Sequence, residues 1–150
     1  MSAPSIHATA VVVGEAGVLI RGRSGAGKSA LALDLIETGA RHGLFCRLVG
    51  DDRVKLTVRN KRLIARGHPH VAGRIERRGQ GLAEIEYEPA AVIRLVVDLD
   101  ESTQNPRFPS ENELQTALSG VEIARMSLNI GQAPRVQVGA VFARLRLIAR

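Results

Sequence analysis

The sequence predicts an α/β fold in which a phosphate-binding loop is set into a mixed β-sheet flanked by helices. Three observations carry that expectation. The stretch "GRSGAGKS" at residues 22–29 matches G-x-x-x-x-G-K-[ST], the pattern of a loop whose backbone curls around phosphate. It lies between a short apolar run, "VLIR" at 18–21, and an amphipathic run that starts at Lys28. The run before it, "TAVVV" at 9–13, is joined to "VLIR" by "GEAG", the composition of a tight hairpin turn. The strand entering the loop therefore has an antiparallel neighbour in sequence, where doubly wound folds use a parallel βαβ series. With 150 residues the chain is the size of one domain, and residues 1–150 are read as a single P-loop domain.

The elements follow in order. "KSALALDLIET" places Leu31, Leu35 and Thr38 on one helical stripe with Ala32 and Ile36 beside it, and Gly39 stands where a C-terminal cap is expected. "FCRLVGDD" reads as a buried strand that ends in Asp51 and Asp52, and "RVKLTVRNKRLIA" as two strands around an Arg59–Asn60 turn. "GRIERRGQGLAEI" at 73–85 has the composition of a loop able to bring charge close to phosphate, or of a solvated basic hairpin. "AAVIRLVVDLD" at 90–100 is a strongly apolar strand with acids at its end. "ESTQNPRFPSENE" reads as a loop and "NELQTALSG" as a short helix. In the closing "VQVGAVFARLRLIAR", Val138, Val141, Phe142, Leu145 and Ile148 fall at helical spacing, which predicts a C-terminal helix packed on the core.

Composition narrows the function classes. Hydrophobic residues make up 45% and charged residues 24%, which is globular and excludes a disordered chain. No apolar run reaches the ~20 residues of a bilayer span, and the N-terminus lacks a basic leader. A cytoplasmic protein without a membrane partner is expected. The lone Cys46 sits in an apolar run and is expected to be a buried thiol. A net charge of +6 suits an acidic or phosphorylated partner. Aromatic residues at 3% leave little for base stacking, so nucleic acid is disfavoured.

The loop supplies the chemistry that composition cannot. Gly22, Arg23, Ser24, Gly25, Ala26, Gly27, Lys28 and Ser29 would surround the phosphates of ATP, with Lys28 reaching the β- and γ-phosphates and the Ser29 hydroxyl ligating Mg²⁺. Such loops serve many reactions, so the acceptor is read from other groups. Asp51 and Asp52, at a strand end near the loop, are candidates for metal ligand or general base, and adjacent residues of an extended chain point to opposite sides. His68 and His70 in "GHPH" have no adjacent acid or Cys and are read as loop residues.

Taken together, "IHA" at 6–8, "GRSGAGKS", "LVGDDRVKL" at 48–56 and "IERRGQGLAEI" at 75–85 resemble, in this order, the catalytic domain of the HPr kinase/phosphorylase family over most of residues 5–110. Glu76, Arg78, Gly79 and Gly81 match its Glu-x-Arg-Gly-x-Gly signature. The resemblance implies a phosphoenolpyruvate carboxykinase-like fold and ATP-dependent phosphorylation of a serine on the phosphocarrier HPr, with reversal by inorganic phosphate. It implies His7 as the active-site histidine, Lys28 as the phosphate-binding lysine, and Ser29 and Glu76 as Mg²⁺ ligands. One of Asp51 and Asp52, Asp52 ahead of Asp51, would be the base. Arg78 joins the nucleotide-binding set, and Arg107 in "NPRFP" is matched loosely to the catalytic arginine. The family's hexamers imply a homo-oligomer.

The chain also departs from the pattern. Ala30 stands for the acid after the Walker serine, Ala8 for the glycine after the histidine, and the late Pro-Val-x-x-Gly-Arg-Asn segment has no counterpart in "LNIGQAPRVQVGAVF". The kinase expectation is thus stronger than the phosphorylase one. With only a few residues before His7, the chain resembles a short form made of the catalytic domain alone, whose acceptor belongs to either a sugar or a nitrogen-linked phosphotransfer system. The alternative is an ATP-binding regulatory module with little catalysis.

Overall fold

A computed structural model describes residues 5–77, 79–101 and 111–149. Two short strands, β1 (Ser5–Ile6) and β2 (Ala8–Val13), lead into a hairpin with β3 (Ala16–Arg21), and the phosphate loop then runs into helix α1 (Lys28–Arg41). Strands β4 (Cys46–Gly50), β5 (Val54–Arg59) and β6 (Arg62–Gly67) follow, then a 3₁₀ turn at Pro69–Val71 and a small hairpin of β7 (Arg74–Arg77) and β8 (Gly81–Glu84). The long β9 (Ala90–Asp100), a one-turn α2 (Glu111–Leu114), the hairpin β10 (Gln115–Leu118) and β11 (Val121–Asn129), and helix α3 (Pro134–Ile148) complete the chain.

The sheet is mixed, as the hairpin before the loop implies. Its order is β1-β5-β6-β9-β3-β2-β4, with β11 also paired to β9 and β10 to β11. β2 lies antiparallel to both β3 and β4, whereas β9 runs parallel to β3 and β11 and antiparallel to β6. The β9 run can serve three neighbours because it is long and apolar: Ile93, Leu95, Val96, Val97 and Leu99 are all buried.

Both faces of the central strands are covered, so they read as continuous apolar runs instead of alternating ones. All six residues of β2 are buried. On one face Val11, Ile20, Leu95 and Val97 pack with Leu31 and Leu35 of α1 and Val141 and Leu145 of α3. On the other, Ala10, Val12, Leu19 and Val96 pack with Val54, Leu56 and Leu63 of the β5–β6 hairpin, which folds back over the sheet. None of the helices among the described residues is long and apolar enough to cross a membrane.

Three local expectations are corrected and one alternative is decided. Helix α1 continues past Gly39 to Arg41; the carbonyl of Gly39 instead accepts from Leu44 N–H, Ala40 from Gly43, and the left-handed residue is Gly43 at φ +76°, a Schellman ending. Gly39 is needed for a different reason: a Cβ there would collide with Cys46 Sγ. The β5–β6 turn is centred on Asn60 and Lys61, both at positive φ, the mirror-type turn that matches strand twist. Of the two readings of residues 73–85, the hairpin holds: β7 and β8 pair antiparallel from Arg74–Glu84 to Arg77–Gly81. The helix expected at 112–120 lasts only through Leu114, after which β10 pairs with β11 around Ser119–Gly120. Cross-strand pairing to an apolar β11, itself unforeseen, outweighs the helical propensity of "ELQTAL".

Candidate functional site

The site forms where β3 ends, α1 begins and the chain leaves β4. Gly25 and Gly27 adopt φ of +85° and +102°, a conformation a side chain would strain. A Cβ at either would meet nothing within 4 Å, so it is the backbone conformation, and not crowding, that calls for glycine there. No side chain caps the first turn of α1, which leaves its N–H donors and the positive end of the helix dipole directed at the loop. Lys28 is buried, yet its ammonium has donated only to carbonyls of the loop itself, Gly22 at 2.8 Å and Arg23 at 3.1 Å. These are the donors a triphosphate needs, held without an opposing carboxylate. Arg23 itself is exposed and ion-paired with Glu101.

The two adjacent acids separate, though not by the strand alternation the sequence suggests: β4 ends at Gly50 and the pair lies in the bend that follows it. Asp51 is buried and fully engaged. Its Oδ1 accepts from Ser29 Oγ at 2.6 Å and from Thr9 Oγ1 at 2.8 Å, and its Oδ2 accepts from the backbone N–H of Glu76 at 3.1 Å. One carboxylate thus ties β2, α1 and β7 to the loop. Because the Ser29 proton is committed to Asp51, the lone pairs of that hydroxyl are free for a cation.

Asp52 has the opposite character. Its carboxyl is 70% exposed, and its backbone is in the left-handed region at φ +64°, an uncommon conformation for a non-glycine residue that clusters at functional sites. The Asp52 N–H reaches Thr9 Oγ1 at 3.4 Å, so the wholly buried Thr9 touches both acids. His7, in the bend between β1 and β2, places Nδ1 3.7 Å from Asp52 Oδ1. Glu76 sits at this site through its backbone, and its side chain is exposed. Arg77 steadies the same hairpin by a 3.5 Å contact with Glu37 of α1.

Behind the loop, Asp98 of β9 pairs in register with Arg21, the last residue before Gly22. It accepts from Arg21 Nε and Nη2 at 2.7 and 2.8 Å and from Arg125 Nε at 2.5 Å. Burial pushes its carboxyl pKa up, but the two arginines outweigh this and hold it below the usual carboxylate range. Ser127 Oγ donates to Asp100 on the same strand at 2.8 Å.

The structure therefore brings together His7, Lys28, Ser29, Asp51, Asp52 and Glu76 around the loop. Arg78 and Arg107 lie outside the described residues. His68 caps the 3₁₀ turn, its ring nitrogen accepting from the His70 N–H, and Cys46 is buried beneath α1, where burial raises its thiol pKa. Sequence reasoning missed Thr9 and the Asp98 cluster. The signal for Thr9 was a lone hydroxyl inside a wholly apolar strand; for Asp98, a carboxylate within an apolar run.

Comparison with known proteins bears on the family and the fold. Residues 1–142 match the family model described as HPr Serine kinase C-terminal domain. The chain is similar to the HPr kinase/phosphorylase of Mycoplasma mycoides, 33% identical over 135 residues, which cover 83% of this chain and 41% of the relative. Likewise it is 34% identical over 137 residues to the HPr kinase/phosphorylase of Treponema pallidum, covering 84% and 41%. The chain thus spans about two fifths of the length of these relatives. Its structure is similar to that of the Hpr(Ser) kinase/phosphatase from Coxiella burnetii, with a TM-score of 0.75, 25% identity, and coverage of 96% of this chain and 98% of that one.

Proposed function

The chain belongs to the HPr serine kinase C-terminal domain family, and we propose that it transfers the γ-phosphoryl group of ATP to a serine hydroxyl of an HPr-type phosphocarrier. The observation that carries the proposal is the division between the two acids: Asp51 buried and tied to Ser29, Asp52 exposed beside His7 at the mouth of the loop.

The residues present fit a magnesium nucleotide. The glycine backbone of the loop, the first turn of α1 and Lys28 would hold the phosphates, and Ser29, with the Glu76 carboxylate, would hold Mg²⁺. Bound there, the cation would offset charge on the phosphate oxygens. Asp51 holds Ser29 in the orientation this requires. Asp52, with no strong donor on its carboxylate, accepts the proton of the acceptor serine as the oxygen attacks phosphorus, a step worth about 10²–10⁴ in rate. His7 stands beside that carboxylate and steadies its charge. With seryl phosphate and inorganic phosphate as reactants, pyrophosphate would form and Asp52 would return the proton to the seryl oxygen.

The test is intact-mass analysis of an HPr-type carrier after incubation with this protein, ATP and Mg²⁺. One added phosphoryl group, absent with Lys28→Ala, is expected. ATP binding without transfer to carriers of either phosphotransfer type would overturn the proposal in favour of a nucleotide sensor.

A further inference from the structure

Beside the Asp52–His7 mouth lies a feature that the proposed reaction does not use. Residues 53–75 contain seven of the 21 Lys and Arg residues and no Asp or Glu. The net charge of +6 is therefore concentrated in this one stretch. The fold turns most of it outward. In β5 and β6, Val54, Leu56, Leu63 and Ala65 face the core, and strand alternation puts Lys55, Arg59, Arg62 and Arg66 on the opposite surface. Register sets Lys55 directly across from Arg66, and Arg59 across from Arg62.

Like charges facing one another across strands destabilise a sheet. Here two such pairs sit on one hairpin, and Arg53, Lys55, Arg59, Arg62 and Arg66 have no ion-pair partner among the described residues. The His68 imidazole is held below its ordinary value by loss of water around its ring, then by His70, with Arg53 and Lys55 adding to it.

We infer that this face is a docking track for an acidic protein surface, that of the acceptor in the proposed reaction, and the inference rests on that reaction. The track begins at Arg53, next to the exposed Asp52, and runs from Lys55 to Arg59 over about 13 Å at ordinary strand rise. An acceptor lying along it would present its hydroxyl at Asp52. Four of the five cations are arginine, whose planar guanidinium pairs with carboxylates in two-pronged geometry. Residues 53–67 hold no aromatic side chain to stack on bases, which disfavours single-stranded nucleic acid. Val58 is the only large exposed hydrophobe there, too little to anchor in a bilayer.

The test compares wild type with Arg59→Glu and the Arg59→Glu/Arg62→Glu pair, both remote from the catalytic groups. With an HPr-type carrier in low salt, the double variant should raise KM for the carrier about tenfold, an effect that shrinks as salt screens the surface. Its kcat and ATP affinity should stay as in wild type. Arg59→Glu alone replaces a cross-strand repulsion with an attraction, so it should raise Tm while raising KM. A raised Tm with unchanged KM would overturn the track and leave a merely solvated face. Loss of binding to a 20-nucleotide single strand or to anionic phosphatidylserine vesicles, with carrier KM unchanged, would also overturn it. Should wild type transfer no phosphate to the carrier, the kinase proposal fails separately, and docking is read from binding of labelled carrier. Binding weakened by the double reversal then supports the track, and no binding, or equal binding, overturns it.

Discussion

Thr9 shows how one hydroxyl can serve two acids with different tasks. It donates to Asp51 Oδ1 and lies within 3.4 Å of the Asp52 N–H, at zero exposure. Thr9→Val keeps the shape and removes the hydroxyl. We expect a loss of about 1 kcal/mol in stability, the usual net worth of a buried hydrogen bond, and a fall of about tenfold in kcat. Thr9→Ser should restore both. Parallel kinetics and chemical denaturation check this, and a valine variant as active as wild type would show that Asp51 needs no second donor. At this scale the sequence announced the residues that belong to a motif: the loop, the Asp pair and the Glu-x-Arg-Gly signature. It marked Thr9 only as a lone hydroxyl in an apolar run and could not give its partner, because Asp51 is 42 positions away and only the β2–β4 pairing brings them together.

Among the elements, β9 carries the most, since it joins β3 to β11 and supplies Asp98. That carboxylate, 17% exposed, is shared by arginines from both neighbours. Asp98→Asn would leave two part-buried guanidinium groups short of their counter-charge, at a cost of about 2–3 kcal/mol, measurable in urea. The folded-state pKa is depressed, so the Asp98 contribution is complete above the unfolded value of about 4 and is lost as pH falls through the lower folded value. The stability difference between wild type and Asp98→Asn should therefore be constant from about pH 8 to 5 and close in acid. Gly39→Val tests the α1–β4 contact; its side chain must displace Cys46, and a loss of about 1–3 kcal/mol is expected. Helical periodicity made α1 and α3 legible from sequence, and unbroken apolar runs made β4 and β9 legible. β10 and β11 were not, because only Ile123 and Leu128 of β11 are buried, and its place is fixed by β9.

Seen whole, the molecule sets a phosphate cradle, an engaged acid and a free acid on one rim of a mixed sheet, with a cationic hairpin running away from that rim. The mixed sheet was legible because "GEAG" before the loop forces an antiparallel neighbour on β3. How the hairpin folds over the second face was not, since its apolar alternation is the same whichever surface it covers. The central claim is that adjacent aspartates divide the work, Asp51 positioning Ser29 and Asp52 handling the proton. The measurement that tests it most directly sets phosphoryl transfer beside Mg²⁺-ATP affinity for Asp51→Asn and Asp52→Asn. Asp52→Asn should bind Mg²⁺-ATP as wild type does and transfer at least about 100-fold more slowly, while Asp51→Asn should lose the magnesium-dependent part of the affinity. Transfer by Asp52→Asn at the wild-type rate would contradict the account.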